Sequence, residues 1–461
     1  GAKMKINRTI FRQYDVRGHV NVDLTEDFAY SLARGCAAYY KKELPSIKKV
    51  SIGHDARESS PLFASALIKG FNDSGIDTVF IGMVPTGLLY FSMFTLDVQA
   101  SVMITGSHNP PEYNGFKINL IDLPVYGDGI QKIADIMEGD DFIDAKVKGK
   151  NSEYNIIPDF EKYILKNIKI KNPQKLKIVV DSGNGVGGFV AVPILRKMGV
   201  NVISIFEEPD GTFPNHHPDP TVEKYIQDMI KTVKKEKADF GIGYDGDADR
   251  IGLVDRNGKI IWGDKILNIF ARSILEEVPG ATIVAEVKCS KTLYDDIKKR
   301  GGKGIMWKAG HSLIKAKMKE TGAAFGGEMS GHIFFKHRFF GYDCAIYSTF
   351  RLLEIVSKMD HVDFDKLLEG IPETFSTPEI RLEVDDLKKF GIVENVVKYF
   401  KNEGADVNDI DGVRVTFNDG WGLMRPSNTQ NVIVLRVEAD SLKRMNEIKD
   451  LLEKKLDDFN K

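Results

Sequence analysis

The feature of this sequence that most restricts its fold is a pattern that occurs three times along the chain. Each repeat has a short apolar strand, an amphipathic helix closed by glycine, and then two further strands. The predicted strands are 50–53, 78–81 and 101–104, then 177–181, 201–206 and 239–244, then 282–287, 304–307 and 323–325. Strands that alternate with helices of this length predict α/β layers built on parallel strands.

A polar loop follows the third strand of every repeat. These loops read T-G-S-H-N-P at 105–110, D-G-D-A-D-R at 245–250 and G-E-M-S-G-H at 327–332. Open α/β sheets bind ligands at the carboxyl ends of their strands. We therefore expect three similar α/β domains that direct their loops into one central cleft.

The character of the sequence changes after about residue 370. Val413, Val415 and Phe417 alternate with polar residues, and a looser alternation begins at Val432. This predicts an antiparallel pair joined by a loop at 418–431, and hence a smaller α+β C-terminal domain. The expected domains are 1–152, 153–258, 259–370 and 371–461.

The charge balance excludes several classes of partner. Lysine and arginine number 64 against 66 aspartates and glutamates, and no sustained basic block occurs. This argues against nucleic-acid binding and against a polybasic membrane anchor. The uncharged stretch 78–96 is broken by Gly82, Pro85 and Gly87, which favours a strand, a loop and a helix over a membrane span.

The cysteine count indicates a reducing compartment. Cys36, Cys289 and Cys344 are odd in number and far apart. They are typical of reduced thiols in a cytoplasmic protein, and they lack the paired spacing of a cysteine metal site.

The acidic loop carries the strongest chemical signal. Asp245, Asp247 and Asp249 alternate along the chain, so a curved segment can direct three carboxylates at one point. Crowded carboxylates repel one another unless a hard cation such as Mg²⁺, Ca²⁺ or Mn²⁺ neutralises them. Arg250 beside them suits an anionic ligand. The alternative is a solvated acidic turn without a ligand.

Ser107 is the candidate nucleophile. It follows an apolar run, lies beside His108, and precedes Lys117 in N-G-F-K. A serine next to a histidine is a pattern seen in activated nucleophiles. The alternative is a serine in an ordinary glycine turn.

A glycine motif in the second repeat has two interpretations. Gly183, Gly185 and Gly188 form G-x-G-x-x-G between a strand and a helix, and Glu207 follows the next strand. The pattern matches a dinucleotide fingerprint locally. The turn is unusually polar and belongs to the second repeat, so a tight strand-to-helix turn is the preferred interpretation.

Two further loops carry groups suited to a sugar phosphate. R-P-S-N-T at 425–429 combines a guanidinium with hydroxyls and an amide, which are phosphate ligands, although a polar hairpin loop is the alternative. The loop at 327–332 brings Glu328, Ser330 and His332, which suit sugar hydroxyls and proton transfer. His311 is a further candidate ligand, unless its loop is only an ordinary helix start.

The motifs together resemble those of the α-D-phosphohexomutase family, most closely its bacterial phosphomannomutase/phosphoglucomutase members. The resemblance covers essentially the whole chain, with motifs in all four expected domains and in the family's order. They are F-R-Q-Y-D-V-R-G (11–18), T-G-S-H-N-P-P-E-Y-N-G-F-K (105–117), F-P-N-H-H-P-D-P (213–220), D-G-D-A-D-R, G-E-M-S-G-H and R-P-S-N-T.

The resemblance implies a role for each matching residue. Ser107 resembles the serine that is phosphorylated in the resting enzyme, and with Asp245, Asp247 and Asp249 it would bind Mg²⁺. The remaining roles are basic groups around the transferring phosphoryl (Arg17, His108, Lys117 and Arg250), contacts to sugar hydroxyls 3 and 4 (Glu328 and Ser330), further substrate contacts (Tyr14, Lys288, His311 and His332), and a clamp on the phosphate that is not reacting (Arg425, Ser427, Asn428 and Thr429).

The resemblance implies an intramolecular phosphotransferase, which is an isomerase of carbohydrate metabolism. It would interconvert hexose 1- and 6-phosphates of mannose and glucose through phosphoserine and a bound hexose 1,6-bisphosphate, which also serves as activator. Phosphorylated hexoses are the expected partners, with no nucleic acid or membrane, and the expected state is a cytoplasmic monomer. Met329 favours the dual-specificity enzymes. A phosphoglucosamine mutase, a metal-dependent sugar phosphatase and an inactive sugar-phosphate binding protein are the alternatives.

Overall fold

The structure, a computed structural model, describes residues 4–428 and 430–461. By its contacts the chain divides into an N-terminal unit, made of residues up to 262 together with 330–364, and a C-terminal unit, made of 263–329 and 365–461. The short helix α12 (Phe364–Leu367) lies where the chain passes from one to the other. Strands and helices are numbered below in chain order.

The N-terminal unit begins with a seven-stranded sheet. Its strands are β1 (Val16–His19), β2 (Lys49–His54), β3 (Asp77–Met83), β4 (Ala100–Ile104), β5 (Tyr113–Leu120), β6 (Leu123–Pro124) and β7 (Asn151–Glu153). The accompanying helices are α1 (Glu26–Glu43), α2 (Ser60–Asp73), α3 (Thr86–Thr95), α4 (Asp128–Gly139) and α5 (Ile157–Asn167).

The order of this sheet is β1-β5-β4-β2-β3-β7, with β6 paired to β5. Strand β2 pairs in parallel with β3 and β4, as the repeat predicts, and β5 then adds antiparallel pairing with β4 and β1. The uncharged stretch 78–96 is strand β3, a short loop at 84–85 and helix α3, which confirms that interpretation.

Helix α1 shows why these elements form where they do. Thr25 caps its first turn by accepting a hydrogen bond from the Phe28 backbone N–H at 3.0 Å. Acidic residues lie in the first turn and lysines in the last, in agreement with the helix dipole. Its apolar face, which includes Phe28, Leu32 and Cys36, is buried in the core of the first sheet.

The rest of the N-terminal unit contains a five-stranded sheet of order β12-β11-β10-β8-β9. Its strands are β8 (Lys177–Asp181), β9 (Asn201–Ile205), β10 (Phe240–Tyr244), β11 (Ile251–Asp255) and β12 (Ile260–Ile261). The helices are α6 (Gly188–Lys197), α7 (Gln227–Glu236) and, in the segment 330–364, α11 (Ala345–Val356), which follows strand β16 (Ile333–Phe335). Strands β9, β8 and β10 are parallel, and the acidic loop leaves the carboxyl end of β10.

The C-terminal unit begins with the third repeat. Its strands are β13 (Thr282–Glu286), β14 (Lys303–Trp307) and β15 (Phe325–Gly327), and its helices are α8 (Gly263–Glu277), α9 (Lys291–Lys299) and α10 (His311–Thr321). Strand β13 pairs in parallel with both others. The predicted strand 323–325 is wrong in its bounds, because Gly322 ends α10 in a left-handed conformation and the strand begins only at Phe325.

The chain ends in a six-stranded antiparallel sheet with two long helices. Its elements are β17 (Phe375–Ser376), β18 (Ile380–Glu383), α13 (Lys389–Asn402), β19 (Asp406–Asn408), β20 (Val413–Phe417), β21 (Gly420–Pro426), β22 (Val432–Ala439) and α14 (Leu442–Phe459). The predicted loop 418–431 is wrong, since it contains strand β21. A tight turn at 418–419 sends the chain straight back, and Trp421 and Met424 become buried.

Three α/β layers followed by a mainly antiparallel domain agree with the predicted fold class. The three cysteines are free and buried, as expected of thiols. In the part of the chain that the structure describes, we find no helix with the length and apolarity that crossing a membrane requires.

Candidate active site

Ser107 lies in the loop after β4, held in a conformation that few serines adopt. Its side chain is buried and its φ is +53°, in the left-handed region. Such a conformation costs about 1–3 kcal/mol and persists only where the surroundings enforce it. Its hydroxyl lies 3.2 Å from Asp245 Oδ2 and 3.3 Å from His108 Nδ1. The loops after β4 and β10 therefore meet at this oxygen.

Arg57 holds the Ser107 loop in place through hydrogen bonds, and it is not among the site residues predicted from the sequence. Its fully buried guanidinium donates to the carbonyl oxygens of Ser107 (3.3 Å), Asn109 (2.7 Å), Pro110 (2.6 Å) and Tyr113 (3.0 Å). A Cβ on Gly106 would lie 2.4 Å from the guanidinium carbon, so this residue must lack a side chain.

Asp55 orients Arg57 and is the second residue that was missed. Its Oδ2 accepts hydrogen bonds from Arg57 Nε (3.1 Å), Thr105 Oγ1 (2.7 Å) and the Gly106 backbone N–H (3.2 Å). Asp55 and Arg57 follow β2, whose carboxyl end lies at the same sheet edge as that of β4. Their place in the H-D-A-R-E-S-S loop after the first predicted strand was the signal that could have identified them.

The acidic loop after β10 is buried, so the alternative of a solvated turn is wrong. Asp245, Asp247 and Asp249 are at most 1% exposed. Oδ1 of Asp245 accepts the backbone N–H groups of Asp249 (3.0 Å) and Arg250 (3.1 Å), which curls the loop. All three carboxylates offer oxygens that lie within 4.8 Å of one another.

The carboxylate oxygens of this acidic cluster are suited to binding a metal ion. Lys117 Nζ donates to Oδ2 of both Asp247 and Asp249 at 2.6 Å, and Thr86 Oγ1 donates to Asp247 Oδ2 at 2.6 Å. Oδ1 of Asp247 and Oδ1 of Asp249 are buried and accept no hydrogen bond from the described residues. Two orphaned buried carboxylate oxygens beside Asp245 fit a hard divalent cation such as Mg²⁺.

Burial and neighbouring charges act in opposite directions on the ionisable groups of this cluster. Burial raises the pKa of Asp245 well above its usual range, and the charges of Asp249 and Asp247 raise it further. Burial acts to raise the pKa of Asp249 as well, but the charges of Lys117 and His332 and the hydrogen bonds with Asp245 and Lys117 together outweigh it and bring this pKa well below the usual range. The carboxylates of Asp247 and Asp249 likewise outweigh burial and raise the pKa of Lys117. Lys117 is therefore a fixed cation at neutral pH.

The other predicted basic groups surround the same point. Arg250 Nε donates to Asp245 Oδ2 at 3.1 Å. The charge of Arg250, followed by burial, lowers the pKa of His108 well below its usual range, so this imidazole is neutral at pH 7. Arg17 donates to Asn109 Oδ1 at 2.6 Å and pairs with Asp15 at 2.6 Å, which places it against the Ser107 loop.

The F-P-N-H-H-P-D-P loop supports Arg250 and is anchored to β8. Asp219 Oδ1 lies 3.1 Å from Arg250 Nη2. His216 Nε2 lies 2.9 Å from Asp181 Oδ2, at the end of β8. From the sequence this loop is only a family motif, and neither Asp219 nor His216 was predicted to have a role.

Backbone conformation and close packing explain why glycine occupies the three positions of G-x-G-x-x-G. Gly183 has φ +52°, and a Cβ on Gly185 would lie 2.6 Å from the Gly246 carbonyl oxygen. A Cβ on Gly188 would lie 1.9 Å from Ser182 Oγ. These contacts support the interpretation as a tight strand-to-helix turn, packed against the acidic loop.

Of the predicted sugar contacts, three lie in the N-terminal unit. His332 pairs its backbone with Arg250, and its Nδ1 lies 2.8 Å from Asp343 Oδ2. Its Nδ1 also lies 4.0 Å from Asp249 Oδ2, so His332 adjoins the acidic loop. Ser330 and Tyr14 are half-buried.

The remaining predicted contacts lie in the C-terminal unit. Glu328 is buried and accepts the Gly310 backbone N–H at 2.5 Å, next to His311 at the start of α10. The Lys288 backbone N–H donates to Glu286 Oε2 at 2.6 Å.

The R-P-S-N-T motif begins inside β21 rather than in a loop. Arg425 donates to Asp411 Oδ2 at 2.9 Å. Ser427 Oγ accepts the Gln430 backbone N–H at 3.0 Å, and Asn428 is exposed. Thr429 lies outside the residues that the structure describes.

Comparison with protein families identifies the family in which this combination of loops occurs. Four consecutive family models match: phosphoglucomutase/phosphomannomutase α/β/α domain I at residues 8–144, domain II at 158–258, domain III at 262–375, and the C-terminal domain at 379–455. The chain belongs to the phosphoglucomutase/phosphomannomutase family. It is therefore an enzyme, an isomerase of the phosphomannomutase/phosphoglucomutase type.

Relatives of this family resemble the chain over nearly its full length. A phosphomannomutase/phosphoglucomutase of Pseudomonas aeruginosa is 43% identical over 450 residues, covering 97% of this chain and 95% of its own. A phosphoglucomutase of Neisseria meningitidis is 43% identical over 438 residues, covering 95% and 94%. The crystal structure of a family protein from Burkholderia thailandensis superposes with a TM-score of 0.92 at 39% identity, covering 99% and 98%.

Proposed function

We propose that this enzyme interconverts the 1- and 6-phosphates of mannose and glucose, with Ser107 as the phosphoryl carrier and a bound hexose 1,6-bisphosphate as intermediate. The observation that carries the proposal is the meeting of a strained, buried serine with three buried carboxylates, 3.2 Å from Ser107 Oγ to Asp245 Oδ2. The names of the family relatives support the reaction class.

In the proposed reaction, the phosphoryl group moves from Ser107 to the free hydroxyl of a hexose phosphate. The bisphosphate then reorients, and its other phosphate returns a phosphoryl group to Ser107. Phosphoryl transfer depends mainly on positioning and on neutralising charge. Arg17, His108, Lys117 and Arg250 supply hydrogen-bond donors around Ser107, and two of them, Lys117 and Arg250, are buried cations.

The metal site belongs to the same proposal. Asp245, Asp247 and Asp249, together with the phosphorylated Ser107, would hold Mg²⁺, which supplies positive charge to the phosphoryl oxygens. The orphaned Oδ1 atoms of Asp247 and Asp249 support this choice of ligands. Lys117, 2.6 Å from both, opposes the effect of burial on these two carboxylates and fixes their orientation.

Substrate recognition is divided between two kinds of chemistry. The sugar would be bound by carboxylate, hydroxyl, imidazole and ammonium groups, which are those of Tyr14, Lys288, His311, Glu328, Ser330 and His332. The phosphate that is not reacting would be bound by Arg425 in a bidentate pair, with Ser427, Asn428 and Thr429 donating single hydrogen bonds. Charge-assisted contacts to phosphate do not involve the hydroxyl that differs between mannose and glucose, so the clamp suits the phosphates of both sugars.

Several finer predictions remain part of the proposal. They are the domain bounds 1–152, 153–258, 259–370 and 371–461, the monomeric state and the cytoplasmic location. The reactivity of mannose, glucose and glucosamine 1-phosphates at matched concentration tests the sugar preference. A clear preference for glucosamine would replace the proposal with a phosphoglucosamine mutase.

The decisive experiment concerns Ser107. Intact mass spectrometry of the purified enzyme should show a fraction heavier by one phosphate, which substrate discharges. Ser107→Ala should remove this fraction and nearly all isomerisation, whereas Ser46→Ala, an exposed serine of the same domain, should change neither. Full activity in Ser107→Ala would refute the covalent mechanism, and release of inorganic phosphate without isomerisation would identify a phosphatase.

A further inference from the structure

Asp411 joins two elements to which the proposed function gives different tasks. It lies between β19 and β20 in the C-terminal unit. Its Oδ2 accepts one hydrogen bond from Arg425 Nη2 at 2.9 Å and another from the Ala309 backbone N–H at 2.9 Å. One carboxylate oxygen thus contacts the proposed phosphate clamp and the loop that precedes α10.

The contact continues to the proposed sugar-binding carboxylate. The residue after Ala309 is Gly310, whose backbone N–H donates to Glu328 Oε1 at 2.5 Å. Gly310 has φ +137°, outside the range that side-chain-bearing residues favour, so the two adjacent N–H groups can point in different directions. Arg425, Asp411, the 309–310 peptides and Glu328 therefore form one continuous series of hydrogen bonds.

The backbone around Asp411 is fixed in place by close packing and by hydrogen bonds of neighbouring residues. Gly412 has φ +80°, and a Cβ there would lie 2.3 Å from the Met424 carbonyl oxygen, so the chain packs directly on β21. Ile410 packs in a small cluster that includes Met306 at the end of β14. Three residues after Asp411, the buried guanidinium of Arg414 donates to the carbonyl oxygens of residues 287 and 289 at 2.6 Å each.

We propose that Asp411 is a positioning residue that holds the phosphate-binding guanidinium of Arg425 in register with the sugar-binding carboxylate of Glu328. This rests on the proposed roles of Arg425 and Glu328. A hexose phosphate that is bound at its phosphate by Arg425 and at its hydroxyls by Glu328 needs these two side chains at a fixed separation. Asp411 sets that separation through both of its hydrogen bonds.

The test compares hydroxyl recognition with phosphate recognition in the full-length enzyme. The measured quantities are kcat/KM for glucose 1-phosphate and for 3-deoxyglucose 1-phosphate, and their ratio reports how strongly the hydroxyl is recognised. Arg425→Ala should lower both values and leave the ratio unchanged. Asp411→Ala removes both contacts and should lower both values while reducing the ratio by about 2- to 12-fold, the factor that one hydrogen bond supplies.

Two further variants separate a positioning role from general damage. Asp411→Asn keeps an acceptor for the Ala309 N–H, so it should weaken substrate binding but preserve most of the ratio. Asp409→Ala removes a nearby exposed carboxylate that pairs with Lys401 at 2.8 Å, and it should change nothing.

The outcomes distinguish this inference from the proposed function. An unchanged ratio in Asp411→Ala, or equal effects of Asp409→Ala and Asp411→Ala, would overturn the positioning role alone. If the parent enzyme did not discriminate against the deoxy sugar, and Glu328→Gln had no effect, the sugar-binding role of Glu328 and the proposal built on it would both fall.

Discussion

Replacing Arg57 with lysine should disable the enzyme without touching any group that contacts substrate. The guanidinium makes five hydrogen bonds, one to Asp55 and four to carbonyl oxygens of the Ser107 loop. A lysine ammonium has three donors on a single nitrogen and cannot reproduce the planar fork. At least two of the five acceptors therefore lose their partner.

The magnitude follows from burial. The Arg57 side chain is 0% exposed, so water does not replace the missing donors. A buried acceptor without a donor costs about 1–3 kcal/mol, and two of them cost roughly 2–6 kcal/mol. The left-handed conformation of Ser107, which itself costs about 1–3 kcal/mol, is then no longer enforced. A reacting atom displaced by about 1 Å lowers a rate on the order of 100-fold.

We therefore expect Arg57→Lys to lower kcat by about 100-fold with KM for glucose 1-phosphate nearly unchanged, because Arg57 positions the nucleophile rather than the substrate. Steady-state kinetics together with the mass of the phosphorylated fraction measure this. Arg34→Lys is the matched control, since Arg34 also donates to a carbonyl oxygen, that of Ile143 at 2.9 Å, outside the Ser107 loop.

Two results would refute this reasoning. A kcat within a few-fold of the parent enzyme would mean that the Ser107 loop keeps its conformation without the guanidinium. A large rise in KM at constant kcat would mean that Arg57 contributes to substrate binding. Equal losses in Arg34→Lys and Arg57→Lys would indicate general destabilisation, which thermal unfolding of both variants would reveal.

Three other predictions address the metal, the clamp and a titrating pair. Asp247→Asn should lower activity by orders of magnitude and raise the Mg²⁺ requirement with the fold intact, and an unchanged Mg²⁺ dependence would contradict the metal site. Arg425→Ala should weaken mannose and glucose substrates equally, by about 10- to 150-fold in apparent affinity, and a shifted preference would argue that Arg425 contacts the sugar. Burial acts to lower the pKa of His216, but the hydrogen bond and charge of Asp181 outweigh it and raise this pKa. The His216–Asp181 pair therefore contributes its full stability below about pH 6.5, and this contribution is lost as the pH rises through the raised pKa of His216. Asp181→Asn should accordingly lower the melting temperature more at pH 5.5 than at pH 8.5, and equal losses at both would contradict the charged pair.

The sequence predicted the strands and loops of the first two repeats better than it predicted the C-terminal sheet. Strand 177–181 and the positions of the Ser107 and acidic loops were predicted correctly, because the alternation of strands with glycine-closed helices is strong there. Strand β21 was missed because its glycines and its polar R-P-S-N-T end resemble a loop. Its pairing with β20 and β22 outweighs that local preference.

The division between local and tertiary information is clearest at the Ser107 loop. The sequence by itself determined which chemical groups the loops carry, since the residues of a loop follow from the strand and helix pattern on either side. Only the tertiary structure decided what holds those groups in place. The four carbonyl oxygens that Arg57 binds are 50 to 56 positions along the chain, Thr86 reaches Asp247 across 161, and Asp411 reaches Ala309 across 102. Such contacts depend on how strands are ordered in a sheet and how sheets pack, and no periodicity of a single segment encodes that arrangement.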